Sequence, residues 1–147
     1  MTPVETIPIQ PWMSDPATRS VMAAISIADS DGPSALFVGG CVRDALLGRE
    51  VGDVDIATVH APDAVMGLLD AAGIGYHTIG ADHGTVAAHA DSRAFEITTL
   101  RVDVETDGRR AKVAFTDDWN LDASRRDFTM NALYANAEGH VFDPLGG

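Results

Sequence analysis

The chain has 147 residues, 46% hydrophobic and 22% charged, which supports one packed domain and excludes wholesale disorder. No apolar run reaches the roughly 18 residues of a membrane helix, the start MTPVETIPIQPWMSDP lacks the basic and apolar regions of a secretory leader, and the lone Cys41 excludes an intrachain disulfide or cysteine-cluster zinc site, so a cytoplasmic protein is expected. The formal net charge of −12 argues against a strong grip on long RNA by this segment, although Arg101, Arg109, Arg110, Lys112, Arg125 and Arg126 cluster in a way that suits a small anionic ligand as well as a solvated surface.

Residues 1–15 carry three prolines and read as an irregular arm. Residues 16–29 have helical spacing, with Val21, Met22, Ile25 and Ile27 on the apolar side, and Ser30, Asp31, Gly32 and Pro33 break the pattern. ALFV at 35–38 is a buried-type strand, Gly39-Gly40 a turn, and 41–47 a helix closed by Gly48. VGDVDIATV at 51–59 alternates as a strand, and 62–72 forms a helix with Pro62 in its first turn and Gly73 after its end. Strands follow near 76–79, 84–89 and 94–100. Residues 102–112 are polar and read as a mobile loop, 113–115 as a short strand, 122–134 as a helix and 140–143 as a last strand. The order of elements indicates an α/β or α+β sheet domain.

Asp53 and Asp55 stand two apart on one strand, so their carboxylates project to one face while Val54 and Ile56 point to the other. Like charges so close repel, and a divalent cation relieves the conflict. Hard oxygen ligands suit Mg²⁺, and two such ions can activate an attacking hydroxyl and neutralise a leaving pyrophosphate. Taken alone, the D-x-D also suits a polar edge strand with solvated aspartates. The preceding FVGGCVRDALLG reads as strand, glycine turn and helix start, an arrangement that favours phosphate. Arg43, placed by this reading in the first helical turn against the helix dipole, is explained by a ligand phosphate, whereas Asp44 suits that turn on its own. Cys41 reads as a buried filler. Glu96 shares a strand face with Thr98, opposite Phe95, Ile97 and Thr99, and either adds a third acid or stays a surface glutamate. His83 has no partner at ligand spacing and reads as structural. In RRDFTMNALY, Phe128, Met130, Leu133 and Tyr134 form an apolar helical face. Asn131 falls on the same side as Asp127, so that with Arg125 and Arg126 the group suits phosphate and ribose hydroxyls, or a structural salt bridge.

Taken in order, G-G-x-V-R-D, D-x-D, H-G-T-V, F-E-I-T-T-L-R and R-R-D-F-T-x-N-A-L resemble the class II CCA-adding tRNA nucleotidyltransferases and the closely similar bacterial poly(A) polymerases. The resemblance runs from about residue 35 to the end and sets residues 1–34 apart as an arm and helix. It implies an α+β, polymerase-β-like nucleotidyltransferase head, with a mixed or antiparallel sheet packed against helices. It further implies a Mg²⁺ pair held by Asp53 and Asp55, and Glu96 as third acid. Gly39, Gly40 and Arg43 match the triphosphate turn, and Arg125, Arg126, Asp127 and Asn131 the nucleotide and ribose motif. The stretch 102–112 matches a flexible loop tied to the switch from C to A addition. The implied activity is addition of CCA to tRNA 3′ ends from CTP and ATP, with poly(A) addition, or a non-catalytic nucleotide-sensing RNA-binding module, as the other readings. In the resembled enzymes the base-selecting helix and the neck, body and tail that hold tRNA lie beyond the head. The ending Pro144-Leu145-Gly146-Gly147 is accordingly expected to be a truncation.

Overall fold

In chain order the elements are β1 (Glu5–Thr6), α1 (Pro11–Ser14), α2 (Pro16–Ile25), β2 (Ala35–Val38), α3 (Gly40–Leu46), β3 (Asp55–Thr58), α4 (Pro62–Ala71), β4 (Gly75–Ile79), β5 (Thr85–Ala90), β6 (Arg93–Thr99), β7 (Arg101–Asp107), β8 (Arg110–Phe115), α5 (Trp119–Ser124), β9 (Tyr134–Ala135) and β10 (His140–Phe142). This computed structural model describes residues 5–6, 11–26, 34–47, 54–79, 84–90, 93–107, 110–124, 133–136 and 139–143. Among them, eight strands form one sheet in the order β1-β10-β9-β2-β3-β6-β5-β4. β3 and β6 run parallel and the other neighbours antiparallel, so the sheet is mixed and the fold is α+β as expected.

The all-apolar β2 is buried along its whole length because the sheet is covered there on both faces. Ala35 and Phe37 join one apolar cluster with Val21 and Ile25 of α2, Val65 and Leu69 of α4, and Val86, Ala88, Phe95 and Ile97 of β5 and β6. Leu36 and Val38 join a second cluster with Ala57, Leu100, Trp119, Ala123, Tyr134 and Phe142. β6 is half-covered instead. Phe95 and Ile97 are buried, while Glu96 is exposed on the opposite face.

The N-terminal segment departs from an irregular arm. Pro11 and Pro16 each open a helix, where a missing N–H costs nothing. The Trp12 ring meets Phe37 edge-on, with centroids 4.8 Å apart. β1 pairs with β10 at the far end of the sequence, a contact no local pattern announces. Of the predicted apolar side, Val21, Met22 and Ile25 are buried, and Ile27 lies outside the described residues.

Asp15 fixes where α2 begins. Its Oδ1 accepts the Ala17 N–H at 3.1 Å, and its Oδ2 lies 2.6 Å from Arg93 Nη1 on β6. Asp15→Ala is expected to cost about 1 kcal/mol, mostly from the lost cap, because the Arg93 pair is partly exposed. Thermal denaturation should show a drop of a few degrees. Asp15→Asn, which can still cap, should recover most of it.

Two further expectations change. Of the expected loop 102–112, residues 102–107 and 110–112 are strand: β7 and β8 pair antiparallel from Arg101↔Phe115 to Asp107↔Arg110, with a bulge between Asp103 and Glu105. The predicted helix over 122–134 reaches too far. α5 ends at Ser124, and Tyr134 lies in β9 opposite Val38 and Phe142. Residues 125–132 lie outside the described residues. Among the described residues, no helix is long and apolar enough to cross a membrane.

Candidate active site

The chain turns from β2 into α3 at Gly39, whose φ of 75° and ψ of −132° fall where only glycine is at ease. No heavy atom lies within 4 Å of where a Cβ would sit, so the demand comes from the backbone rather than from crowding. The Gly39 N–H donates to the Leu133 carbonyl at 3.2 Å, and its own carbonyl accepts from Val42 and Arg43 at 3.1 and 3.0 Å. That bond ties the turn to the residue just before β9.

α3 starts with no side-chain cap. Its position beside β3 is held by the Cys41 thiol, which lies 3.4 Å from the Val38 carbonyl and 3.9 Å from that of Asp55. Burial pushes this thiol's pKa up from 9.0 to about 11, with the nearby Asp55 charge adding to the rise against backbone hydrogen bonds that lower it. The helix start therefore does not activate Cys41. Because the folded pKa is raised, stability should be fully present below pH 9 and fall as pH rises towards 11. Cys41 should resist alkylation in native protein near neutral pH and react promptly in denaturant. Equal rates in the two conditions would contradict its burial.

Asp55 opens β3, and its direct partner across the parallel ladder is Glu96 of β6. Paired neighbours share a face, and strands lie about 4.8 Å apart, so the two acids stand side by side on the face that α2 and α4 leave uncovered. Asp55 is half-buried and Glu96 exposed, while Val54 and Ile56 are buried on the opposite side as the alternation predicts. Asp53 lies outside the described residues, as do His83, Arg125, Arg126, Asp127 and Asn131.

Arg43 is half-exposed in the closing turn of the seven-residue α3, not in an opposing first turn, so its charge agrees with the helix dipole. Its Nε lies 3.3 Å from Asp44 Oδ1, a partly exposed pair of little energetic weight. Placement therefore does not demand a phosphate near Arg43, though the guanidinium stays accessible to one. Gly40 is the first residue of α3.

One residue went unnoticed in the sequence. Asp122 of α5 is buried among apolar neighbours and accepts from Tyr134 Oη at 2.7 Å and from the Arg101 N–H at 3.1 Å. It joins α5, β7 and β9, the elements that flank the arginine-rich run. The available signal was an acid at the third position after an apolar Trp119, inside a segment opened by the Asp118 cap.

The α+β sheet sets two neighbouring acids, Asp55 and Glu96, on one face near a glycine turn. The chain belongs to the poly A polymerase head domain family, whose model matches residues 35–147. It is 44% identical over 112 residues to the mitochondrial CCA tRNA nucleotidyltransferase 1 of Danio rerio, covering 76% of this chain and 26% of that protein. It is 42% identical over 137 residues to the CCA-adding enzyme of Geobacillus sp. (strain WCH70), covering 92% of this chain and 33% of that one. The crystal structure of the Bacillus stearothermophilus CCA-adding enzyme in complex with CTP matches with a TM-score of 0.71 and 39% identity, over 90% of this chain and 31% of that one. A tRNA nucleotidyltransferase complexed with a primer tRNA and an incoming ATP analog matches with a TM-score of 0.57 and 31% identity, over 78% of this chain and 32% of that one. The chain thus spans about a quarter to a third of the length of these relatives.

Proposed function

We propose that this chain is the catalytic head of an RNA nucleotidyltransferase that adds CCA to tRNA 3′ ends from CTP and ATP. The observation that carries the reading is the register of Asp55 against Glu96, next to the turn at Gly39. A similar CCA-adding enzyme solved with CTP and a similar tRNA nucleotidyltransferase solved with primer tRNA and an ATP analog support the same substrates.

The donor set fits Mg²⁺: carboxylate oxygens on one open sheet face are hard ligands that leave room for water and phosphate. Asp55 and Asp53 would hold the ions, with Glu96 beside them. When bound, Mg²⁺ supplies charge neutralisation at the attacking and leaving oxygens. The chain's own residues do the rest. The acids, acceptor-only when ionised, orient the primer's 3′-hydroxyl by accepting its hydrogen. The Gly39-Gly40 turn and Arg43 receive the triphosphate, and Arg125, Arg126, Asp127 and Asn131 hold phosphate and ribose. The hydroxyl oxygen then attacks the α-phosphorus, and the bond to pyrophosphate breaks.

The family's poly A polymerase model favours one second reading, addition of an A tail. A chimera carrying residues 35–147 in place of the head of the Geobacillus enzyme, assayed on tRNA lacking its 3′ end with CTP and ATP, tests the catalytic role that both readings share. Nucleotide addition is expected. A chimera that binds tRNA as its parent does yet adds nothing would count against both.

A further inference from the structure

Two histidines on the free-edge hairpin of the sheet point their ring nitrogens at one another. His77 of β4 pairs with Ala87 of β5, and His89 lies opposite Gly75, so the two histidines are diagonal neighbours on one face. Both are exposed. His77 Nδ1 lies 2.5 Å from His89 Nε2, with ring centroids 4.6 Å apart and planes inclined by 20°. Nearly parallel planes could describe a face-to-face stack, but stacked faces approach only to about 3.5 Å. Nitrogens this close place the rings edge to edge, with the two in-plane nitrogens facing across a short gap.

We propose that His77 and His89 form a binding site for a borderline divalent transition-metal ion of the Zn²⁺, Ni²⁺ or Cu²⁺ class. The neutral imidazole nitrogen is the ligand such ions prefer, whereas Mg²⁺ and Ca²⁺ seek oxygen. One imidazole N–H can donate to the other ring's lone pair across this gap, so the two nitrogens already face a single shared position. An ion held at about 2.0–2.1 Å from each nitrogen needs them slightly further apart. Exposed side chains on an edge hairpin supply that by rotation. Among the described residues no third histidine, cysteine or carboxylate completes the set, so water fills the remaining positions.

The site is separate from the acids. The registers place His77, Ala87, Glu96 and Asp55 in one lateral row across β4, β5, β6 and β3. Two strand spacings, roughly 10 Å, lie between His77 and Glu96. The inference therefore does not rest on the nucleotidyl-transfer reading. Ligand chemistry sorts the ions, imidazole taking the borderline metal and carboxylate the hard one. A bound ion also cross-links β4 to β5 at the sheet's open edge.

Calorimetric titration of the protein with NiCl₂ and ZnCl₂ at slightly alkaline pH, in excess Mg²⁺, tests this. One saturable ion per chain is expected. Affinity should fall at least tenfold in His77→Gln or His89→Gln and vanish in the double variant, which keeps a polar, folded hairpin. Melting temperature should rise with Ni²⁺ in the parent and stay fixed in the double variant. Absence of saturable binding in the parent, binding that survives the double substitution, or displacement by Mg²⁺ would overturn the proposal.

Discussion

Asp55→Asn is expected to lower nucleotide addition by about a thousandfold or more, roughly 4 kcal/mol of transition-state stabilisation, while the fold survives. Asparagine keeps the size and one acceptor oxygen of aspartate, and the backbone ladder to Glu96 does not depend on the side chain. What disappears is the negative charge at the head of β3. Removing it also relieves repulsion between neighbouring acids. Stability should therefore hold or rise slightly while activity collapses, a divergence that a merely structural aspartate would not produce. Asp53→Asn should behave alike if strand alternation continues one step before β3. Glu96→Gln should cost less, because Glu96 is exposed. Single-turnover addition in the chimera, with melting temperature measured alongside, reads both quantities. Near-normal addition by Asp55→Asn would remove this residue from the chemistry.

The elements legible in the sequence were those whose pattern is local. ALFV is a run of four apolar residues and became a strand buried on both faces. The alternation around Glu96 put Phe95 and Ile97 inside and the acid outside. Helix α4 begins at Pro62 and is followed by Gly73 at a φ of 72°, so both of its punctuation marks were read correctly. The failures came from two sources. Polar alternation in VDVETDGRRAKV looked like a loop because neither face of that hairpin is strongly apolar, although Asp107-Gly108 is a hairpin signal. The N-terminal stretch looked irregular because prolines were counted as breakers. One of them, Pro11, starts a helix, and the pairing of β1 with β10 spans nearly the whole chain.

Within the candidate site, side-chain direction was legible and neighbourhood was not. Period two predicts that Asp55 faces away from Ile56. It does not predict that β6 runs parallel to β3 with Glu96 directly opposite, which is a matter of topology. Strand alternation leaves Glu96 as a third acid or a surface glutamate, and only the resemblance favours the first. Arg43 shows the reverse error: the helix is as short as its pattern suggests, but it starts one residue earlier than 41, and the charge expected in its opening turn sits in its closing turn. Asp122 was hidden because a buried acid carries no periodic signature. Only its contacts with Tyr134 and Arg101 show why it is there.

Replacing Gly84 is expected to destabilise the fold chiefly through its backbone, with a smaller steric part. Gly84 has a φ of 73°, and a Cβ built there would lie 2.5 Å from Phe115 Cε1. Two costs are therefore superimposed: backbone strain of roughly 1–3 kcal/mol for a side chain in this conformation, and displacement of the Phe115 ring. Phe115 closes β8 opposite Arg101, so its ring roots the β7–β8 hairpin on the glycine. That root is bonded further inward. Thr116 N–H donates to the Leu100 carbonyl at 2.9 Å, and Leu100 N–H donates to the Thr58 carbonyl at 2.8 Å, at the other end of the strand that Asp55 opens. Gly84→Ala should therefore lower stability and disturb the hairpin, and Gly84→Val, with its branched side chain, should do more. A double-mutant cycle separates the two costs. Phe115→Ala alone should cost little, because the ring is 46% exposed. In the Gly84→Ala, Phe115→Ala pair the steric part should disappear and the backbone part remain, a favourable coupling of at least about 0.5 kcal/mol. Denaturant titrations of the four proteins measure it. Strictly additive losses would mean that the ring does not rest on Gly84, and the H-G-T-V glycine would then be required for its backbone angle alone.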